Sequence, residues 1–361
     1  MEQGLLLTGL FAFSATAFLI RLLIPVAVHA DLVDHPGSRK CHTHPTPLVG
    51  GIAMFIAFAL AMLTLDTSLP PFKPFVAAAI VLVLIGVLDD HRDLSTRSRF
   101  AAQIVASLIM VSGGGVVLND LGRLGIGGEI LNLGLLASPF TVFAAVGVIN
   151  ATNMVDGLDG LAASLSLVTV AALMLLAWAG GQESALAVLV ILAATALGFL
   201  LYNLRLRGPA LVFMGDAGSM FLGFALAWFL VAFSQGDGRL MAPTTALWLF
   251  AVPLIDTVSV MIRRLARARS PFSADRAHFH HVLRDLGLSR RQTLVVMVSA
   301  ALVAAAIGLA GEWAGVSEAL MLLGFLTMSG LYHFQVSQLA DAQPLPPQPG
   351  PAQAEPVRSK D

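Results

Sequence analysis

The chain has 361 residues, 57% of them hydrophobic and 12% charged, with a net charge of −1. A soluble domain carries roughly twice that charged fraction, so a soluble globular fold is excluded, and the near-neutral balance gives no electrostatic case for a nucleic-acid partner. Cys41 is the only cysteine, which excludes an intrachain disulfide.

Apolar runs near or above ~18 residues recur along the chain, the length that crosses a bilayer as a helix. Eleven spans are expected, near 4–28, 48–65, 74–88, 99–117, 135–149, 160–179, 185–202, 218–234, 241–262, 293–310 and 314–336. The fold class is therefore all-α: a polytopic integral membrane protein occupying residues 1–338. The first run lacks a basic leader and a small-residue cleavage site, so it reads as a retained span. The spans 74–88 and 135–149 are short, and either tilt little or end inside a cavity. "SGGGVV" at 112–117 lacks the Lys-Ser/Thr of a phosphate loop and reads as a helix end. The Pro-rich tail, 339–361, has almost nothing to bury and reads as disordered.

Basic residues fix the orientation. Of the 21 Lys and Arg, 17 fall in loops 29–47, 89–99, 203–217 and 263–292 or after residue 336. The opposite loops hold only Lys73, Arg123 and Arg239. By the positive-inside rule the first group is cytoplasmic, together with loop 150–159, with the N-terminus outside and the C-terminus inside.

The unusual chemistry sits in those same cytoplasmic loops. "LDDHRDLSTRSR" places Asp89 and Asp90 at the end of the third span. Acids at a helix C-terminus oppose its dipole, and neighbouring carboxylates raise each other's pKa unless a cation intervenes. A divalent metal, or use of one carboxylate as a base, resolves both conflicts. In "NATNMVDGLDGLA", Asn150, Asn153, Asp156 and Asp159 recur every three residues and would share one face if helical. Asp159 is also a candidate cap for the sixth span. "VFMGDAGS" sets Asp216 between glycines at the start of the eighth span, where an acid suits a metal bridging to phosphate. Phe213 reads first as packing and second as a stacking surface for a base. "DRAHFHH" supplies Arg276, His278, His280 and His281, a set that fits no common zinc spacing and suits a phosphate or pyrophosphate better. His42, His44 and His91 read as ordinary loop histidines, and Asp256 as a partner for Arg263 or Arg264.

These residues also carry a family resemblance. "RKCHTHPTPLVGG", "LDDHRDLSTRSR", "NATNMVDGLDGLA", "VFMGDAGS" and "SPFSADRAHFHH", in that order over residues 30–292, resemble the polyprenyl-phosphate N-acetylhexosamine-1-phosphate transferases. "LVD", "PLVGGI", "NMVDG", "TALW" and the histidine segment together resemble most closely the bacterial branch that uses UDP-GlcNAc and undecaprenyl phosphate. That branch opens O-antigen and related surface-polysaccharide synthesis. The fill between Lys40 and Pro47 departs from that branch, as does the Pro-rich tail, and neither touches the carboxylates.

The resemblance implies a cytoplasmic site in an inner membrane and dependence on Mg²⁺, with Mn²⁺ as a substitute. It implies Asp216 as a metal ligand, ties Asp89 and Asp90 to metal, prenyl-phosphate or base function, and lines the nucleotide-sugar site with Asn153, Asp156 and Asp159. Asp90 or Asp156 is expected to share the metal, and Asp89, Asp90, Asp156 and Asp159 are the expected catalytic acids. The resemblance also implies His278, His280 and His281 on the pyrophosphate side; Lys40, Asn153, Phe213 and Arg276 complete the expected substrate contacts. In the expected reaction one phosphoanhydride replaces another, either by direct attack of the lipid phosphate or through an enzyme-bound phosphate on Asp89. Another UDP-N-acetylhexosamine or UDP-MurNAc-pentapeptide is the alternative donor. A transporter is the rival outside the family, but only Asp256 and Arg21 lie at membrane depth, where transporters place their ion sites.

Overall fold

The computed structural model describes residues 2–35, 45–65, 72–205, 208–268, 270 and 278–341. Thirteen helices occur among them: α1 (Glu2–His29), α2 (Gly50–Met62), α3 (Lys73–Arg92), α4 (Thr96–Ser112), α5 (Ala137–Met154), α6 (Leu161–Ala179), α7 (Glu183–Asn203), α8 (Gly215–Ser234), α9 (Pro243–Leu249), α10 (Ala251–Ala266), α11 (Phe279–Asp285), α12 (Arg290–Trp313) and α13 (Glu318–Asp341). A two-residue antiparallel pair joins β1 (Val33–Asp34) to β2 (Thr46–Pro47), with Val33 opposite Pro47. Each expected span has a helical counterpart. Eight helices are long and apolar enough to cross a bilayer. The second and fourth expected spans are the shorter helices α2 and α4, of 13 and 17 residues.

The ninth span, expected as one segment, is two helices bent by 85° at Phe250. Pro253 explains the break. It has no N–H to give Leu249, and its ring collides with that carbonyl, so α9 stops at Leu249 and α10 restarts.

Helix α8 is the axis of the bundle. It is apolar on every side and buried almost throughout, as expected of a helix with no solvent or lipid face. Small residues let its neighbours reach its backbone. A Cβ on Gly51 of α2 would lie 2.1 Å from Gly218 N, and one on Gly86 of α3 would lie 2.4 Å from Ala217 Cα. Aromatic rings fill the next layer, with Phe58 and Phe55 edge-on to Phe221 at 5.3 and 5.4 Å, and Phe75 edge-on to Trp228 at 5.4 Å. Peripheral helices instead expose leucines and phenylalanines, among them Leu6 and Phe18 of α1 and Leu323 and Phe334 of α13, which is the lipid-facing pattern.

At the far end of the bundle, Arg239 pairs with Glu318 at 2.8 Å and Gln235 holds the backbone of Asn119 and Asp120. Helix α4 ends at Ser112 with Gly113 as its cap, so "SGGGVV" is a helix end. Helix α13 runs to Asp341; the rest of the Pro-rich tail lies outside the described residues.

Candidate active site

The close approach of α3 to α8 at Gly86 and Ala217 puts the end of one helix against the start of the other. Helix α3 continues to Arg92, past the expected end of its span, so Asp89 and Asp90 occupy its last turn. Asp90 Oδ1 accepts the backbone N–H of Asp216 at 2.8 Å, and its Oδ2 accepts that of Ala217 at 3.4 Å. Asp90 therefore caps α8 from a different helix, and the positive end of the α8 dipole offsets its poor placement on α3. Gly215 makes this fit: its φ is +69°, and a Cβ there would lie 2.3 Å from Asp90 Oδ2.

Asp89 shares the last turn of α3 and reaches the start of α4. Its Oδ1 accepts from Leu94 N at 2.7 Å, closing the turn after the helix. Asp93 takes the left-handed conformation there, which Asp and Asn tolerate. Asp89 Oδ2 is buried without a hydrogen bond and lies 3.2 Å from Arg99 Nη1 in an ion pair whose geometry is not that of a hydrogen bond. The same Nη1 donates to Asp216 Oδ2 at 3.2 Å. Ser95 caps α4 by accepting from Ser98 N, which sets Arg99 on the first turn facing back across the hairpin. Asn153 completes the cradle, donating to Asp216 Oδ1 at 2.7 Å and to Ser219 Oγ at 2.9 Å.

These groups line one cavity of about 1090 Å³, with Asp156, Asp159, Phe213, His280, His281 and Arg290 on its other walls. The expected helical face from Asn150 to Asp159 is not formed. Helix α5 stops at Met154, and Asp156 and Asp159 lie in the turn that follows. Asn150 faces away from the others, donating to Gln103 Oε1 at 2.6 Å. Asp159 does not cap α6 either. Gly160, at φ +78°, is the N-cap residue, and Asp159 pairs with Arg290 of α12 at 3.3 Å. Asp156 keeps surface open to the cavity, and desolvation by the surrounding walls, then the charges of Asp216 and Asp159, push its carboxyl up to about 7. Phe213 is half-buried on the wall, its backbone tied to Pro47 O and Gly50 N.

The histidines divide. His280 and His281 face the cavity, with ring centroids 4.2 Å apart. His280 is 2% exposed and neither ring nitrogen has a hydrogen-bond partner. Burial, reinforced by His281 and His278, lowers its pKa to about 3. It fits because residue 157 is glycine; a Cβ there would lie 2.5 Å from His280 Nε2. His278 is not on the wall. It is buried, and its Nδ1 lies 2.9 Å from Asp256 Oδ2. The sequence suggests Asp256 as a partner for Arg263 or Arg264; in the structure it holds His278. It also accepts from Phe279 N at 3.0 Å and Tyr332 Oη at 2.9 Å. Lys40 and Arg276 lie outside the described residues, as do Cys41, His42 and His44.

Sequence reasoning missed Arg99, whose only signal was its place four residues after a capping serine. It also passed over His91, which is in the last turn of α3 and lines the cavity.

A bundle of apolar helices with carboxylates, imidazoles and guanidinium groups gathered in one cavity at the helix ends defines a membrane enzyme for charged, phosphate-bearing substrates. A family model for glycosyl transferase family 4 matches residues 72–234. The chain is 40% identical over 309 residues to an undecaprenyl-phosphate α-N-acetylglucosaminyl 1-phosphate transferase of Yersinia pestis, covering 83% of this chain and 84% of that one. It is 38% identical over 335 residues to the Escherichia coli K12 protein of that name (92% and 89% covered), and 37% identical over 333 residues to that of Haemophilus influenzae (91% and 93%). The chain belongs to glycosyl transferase family 4 and is a multi-pass membrane transferase.

Proposed function

We propose that the cavity transfers GlcNAc-1-phosphate from UDP-GlcNAc to undecaprenyl phosphate, giving undecaprenyl-diphospho-GlcNAc and UMP. The observation that carries this reading is the convergence of Asp89, Asp156, Asp216 and His280, drawn from four separate segments, on one cavity. The name shared by the relatives supports this sugar and this lipid. The basic residues gathered in the loops at the cavity's end of the bundle support a cytoplasmic face in the inner membrane, with the N-terminus outside.

Among the described residues, no three His, Cys, Asp or Glu groups form a ready metal cluster. The donors present nevertheless suit Mg²⁺, or Mn²⁺ in its place. All are carboxylate oxygens, Asp89 Oδ2 is buried without a hydrogen bond, and the Asp89–Asp216 pair already draws in a cation, Arg99. Asp216, Asp89 and Asp156 would hold the ion. Both oxygens of Asp90 face the backbone of α8, which makes it the group that seats Asp216. A bound divalent ion would neutralise charge on the donor diphosphate.

The rest falls to the chain. Donor and acceptor are both anions, so the guanidinium groups of Arg99 and Arg290 offset their repulsion. Phe213 offers a face for the uracil, and Asn153 keeps Asp216 in one orientation. The lipid phosphate oxygen attacks the sugar-bearing phosphorus, the bond to the UMP oxygen breaks, and UMP leaves with that electron pair. Asp89 Oδ2 lies covered beneath Arg99. That position suits a base or anchor better than a nucleophile that must reach phosphorus itself, and so favours direct attack. Membranes carrying the protein, supplied with undecaprenyl phosphate, Mg²⁺ and one of UDP-GlcNAc, UDP-GalNAc or UDP-MurNAc-pentapeptide, test the proposal. UMP and lipid product should appear with UDP-GlcNAc. Product only with another donor would replace the sugar, and no product with any donor would remove the reaction.

A further inference from the structure

The site leaves one buried polar network unused. Asp256, in α10, has no exposed surface and accepts from three donors: His278 Nδ1, Phe279 N and Tyr332 Oη. One turn further along α10, Ser259 Oγ lies 2.9 Å from His333 Nδ1 and accepts from Arg263 Nη1 at 2.7 Å. The groups facing Asp256 and Ser259 therefore come from two directions, the histidine segment and helix α13.

Helix α13 is otherwise a peripheral helix. Most of its apolar residues face outward, and Leu320, Leu323, Leu326, Leu331 and Phe334 are exposed. A helix that served only to fill the bilayer would need no polar contact with its neighbour. Polar side chains inside a membrane are costly to keep and are retained where they do something. Here they reach the cavity through two rings. His278 is gripped by Asp256, and the His280 ring lies parallel to it at 5.8 Å and 14°. Beyond His280 is Gly157, in the turn that carries Asp156. The path runs Tyr332, Asp256, His278, His280, cavity.

We infer that Asp256, braced by Tyr332, is the positioning residue of the histidine wall: it sets the ring of His278 so that His280 packs against Gly157 and holds the turn carrying Asp156 in place beside the nucleotide-sugar diphosphate. Asp256 touches no substrate. Its carboxylate accepts from His278 Nδ1, which fixes the tautomer of that ring, and its other oxygen anchors the first N–H of α11. An amide in its place would turn an N–H toward His278 Nδ1 and force the opposite tautomer. The inference rests on the proposal that the cavity binds a nucleotide-sugar diphosphate, and the experiment separates the two.

The full-length protein in detergent or nanodiscs is compared as wild type, Asp256→Asn, Tyr332→Phe and His280→Gln. KM is measured for UDP-GlcNAc and for undecaprenyl phosphate separately, with kcat and the thermal midpoint without substrate. Asp256→Asn should raise KM for UDP-GlcNAc by about 10-fold, the loss of one well-placed hydrogen bond. Tyr332→Phe, which removes a brace and leaves the carboxylate, should raise it about 3-fold. KM for the lipid should stay within 2-fold of wild type in both, and the thermal midpoint of Tyr332→Phe should be within a few degrees of wild type. A purely structural role would move both KM values together with the midpoint, and that result overturns the inference. So does an unchanged donor KM in Tyr332→Phe and Asp256→Asn. If Asp256→Asn does not fold, Tyr332→Phe alone decides. An unchanged donor KM in His280→Gln also overturns the inference, whereas no UMP release by the wild type from UDP-GlcNAc removes the donor assignment instead.

Discussion

Asp90 is the residue where position and chemistry make different demands, and replacing it separates them. Its two oxygens receive the N–H groups of Asp216 and Ala217 at 2.8 and 3.4 Å. Truncation to alanine removes an N-cap, which costs about 1–2 kcal/mol, together with a charge at the positive end of a helix, which costs about 0.3–1 kcal/mol. The second hydrogen bond is long and adds little. Asp90→Ala should therefore lose about 2 kcal/mol. Asp90→Asn, which keeps one acceptor for Asp216 N, should lose about 1 kcal/mol. Both should also lose turnover, because the backbone they release carries Asp216. Purified protein in detergent, followed by thermal midpoint and by UMP release over a Mg²⁺ titration, reads both effects. The cap account predicts a lower midpoint in the order wild type, Asn, Ala, with the Mg²⁺ concentration for half-maximal rate little changed. A wild-type midpoint for Asp90→Asn, with a tenfold greater Mg²⁺ requirement, would refute the reasoning and make Asp90 a ligand.

Asp89→Asn and Asp216→Asn should abolish UMP release while leaving the protein folded and inserted; near-normal release in either removes that residue from the site. Asp93→Asn should keep most of the rate, since asparagine tolerates the left-handed backbone at φ +51°. Gly157→Ala would push a methyl to 2.5 Å from His280 Nε2, so donor KM should rise at least tenfold with lipid KM unchanged; equal donor KM would show that His280 has room to move. His280 stays neutral when folded down to about 3, whereas it takes up a proton near 6.5 when unfolded. Stability from this group is thus intact above about 6.5 and falls by about 1.4 kcal/mol per pH unit below it. The drop in thermal midpoint between pH 7 and 5 should shrink in His280→Gln, and an identical drop in both proteins would contradict the burial argument.

The spans were legible because hydrophobicity alone decides which segments enter a bilayer. The cluster of acids was legible too, since carboxylates at span ends stand out in a chain this apolar. What escaped was set by distant partners. Asp90 reads as a misplaced acid until α8, 126 residues further along, brings its N-terminus to it. The spacing of Asn150, Asn153, Asp156 and Asp159 suggested a continuous helix, but the chain turns after Met154, with Gly160 left-handed at φ +78°, and of the four Asn153 is the one hydrogen-bonded to Asp216. His278 and His280 are two residues apart in one motif, and only the fold turns one to Asp256 and the other to the cavity. The break at Phe250 had a local cue in Pro253, outweighed by the unbroken hydrophobicity around it.

Reversal of the reaction on purified protein tests the central claim most directly. One phosphoanhydride is exchanged for another, so labelled UMP added with undecaprenyl-diphospho-GlcNAc and Mg²⁺ should yield labelled UDP-GlcNAc, and Asp216→Asn should yield none. No labelled UDP-GlcNAc from the wild type, or the same amount from the variant, would contradict the account.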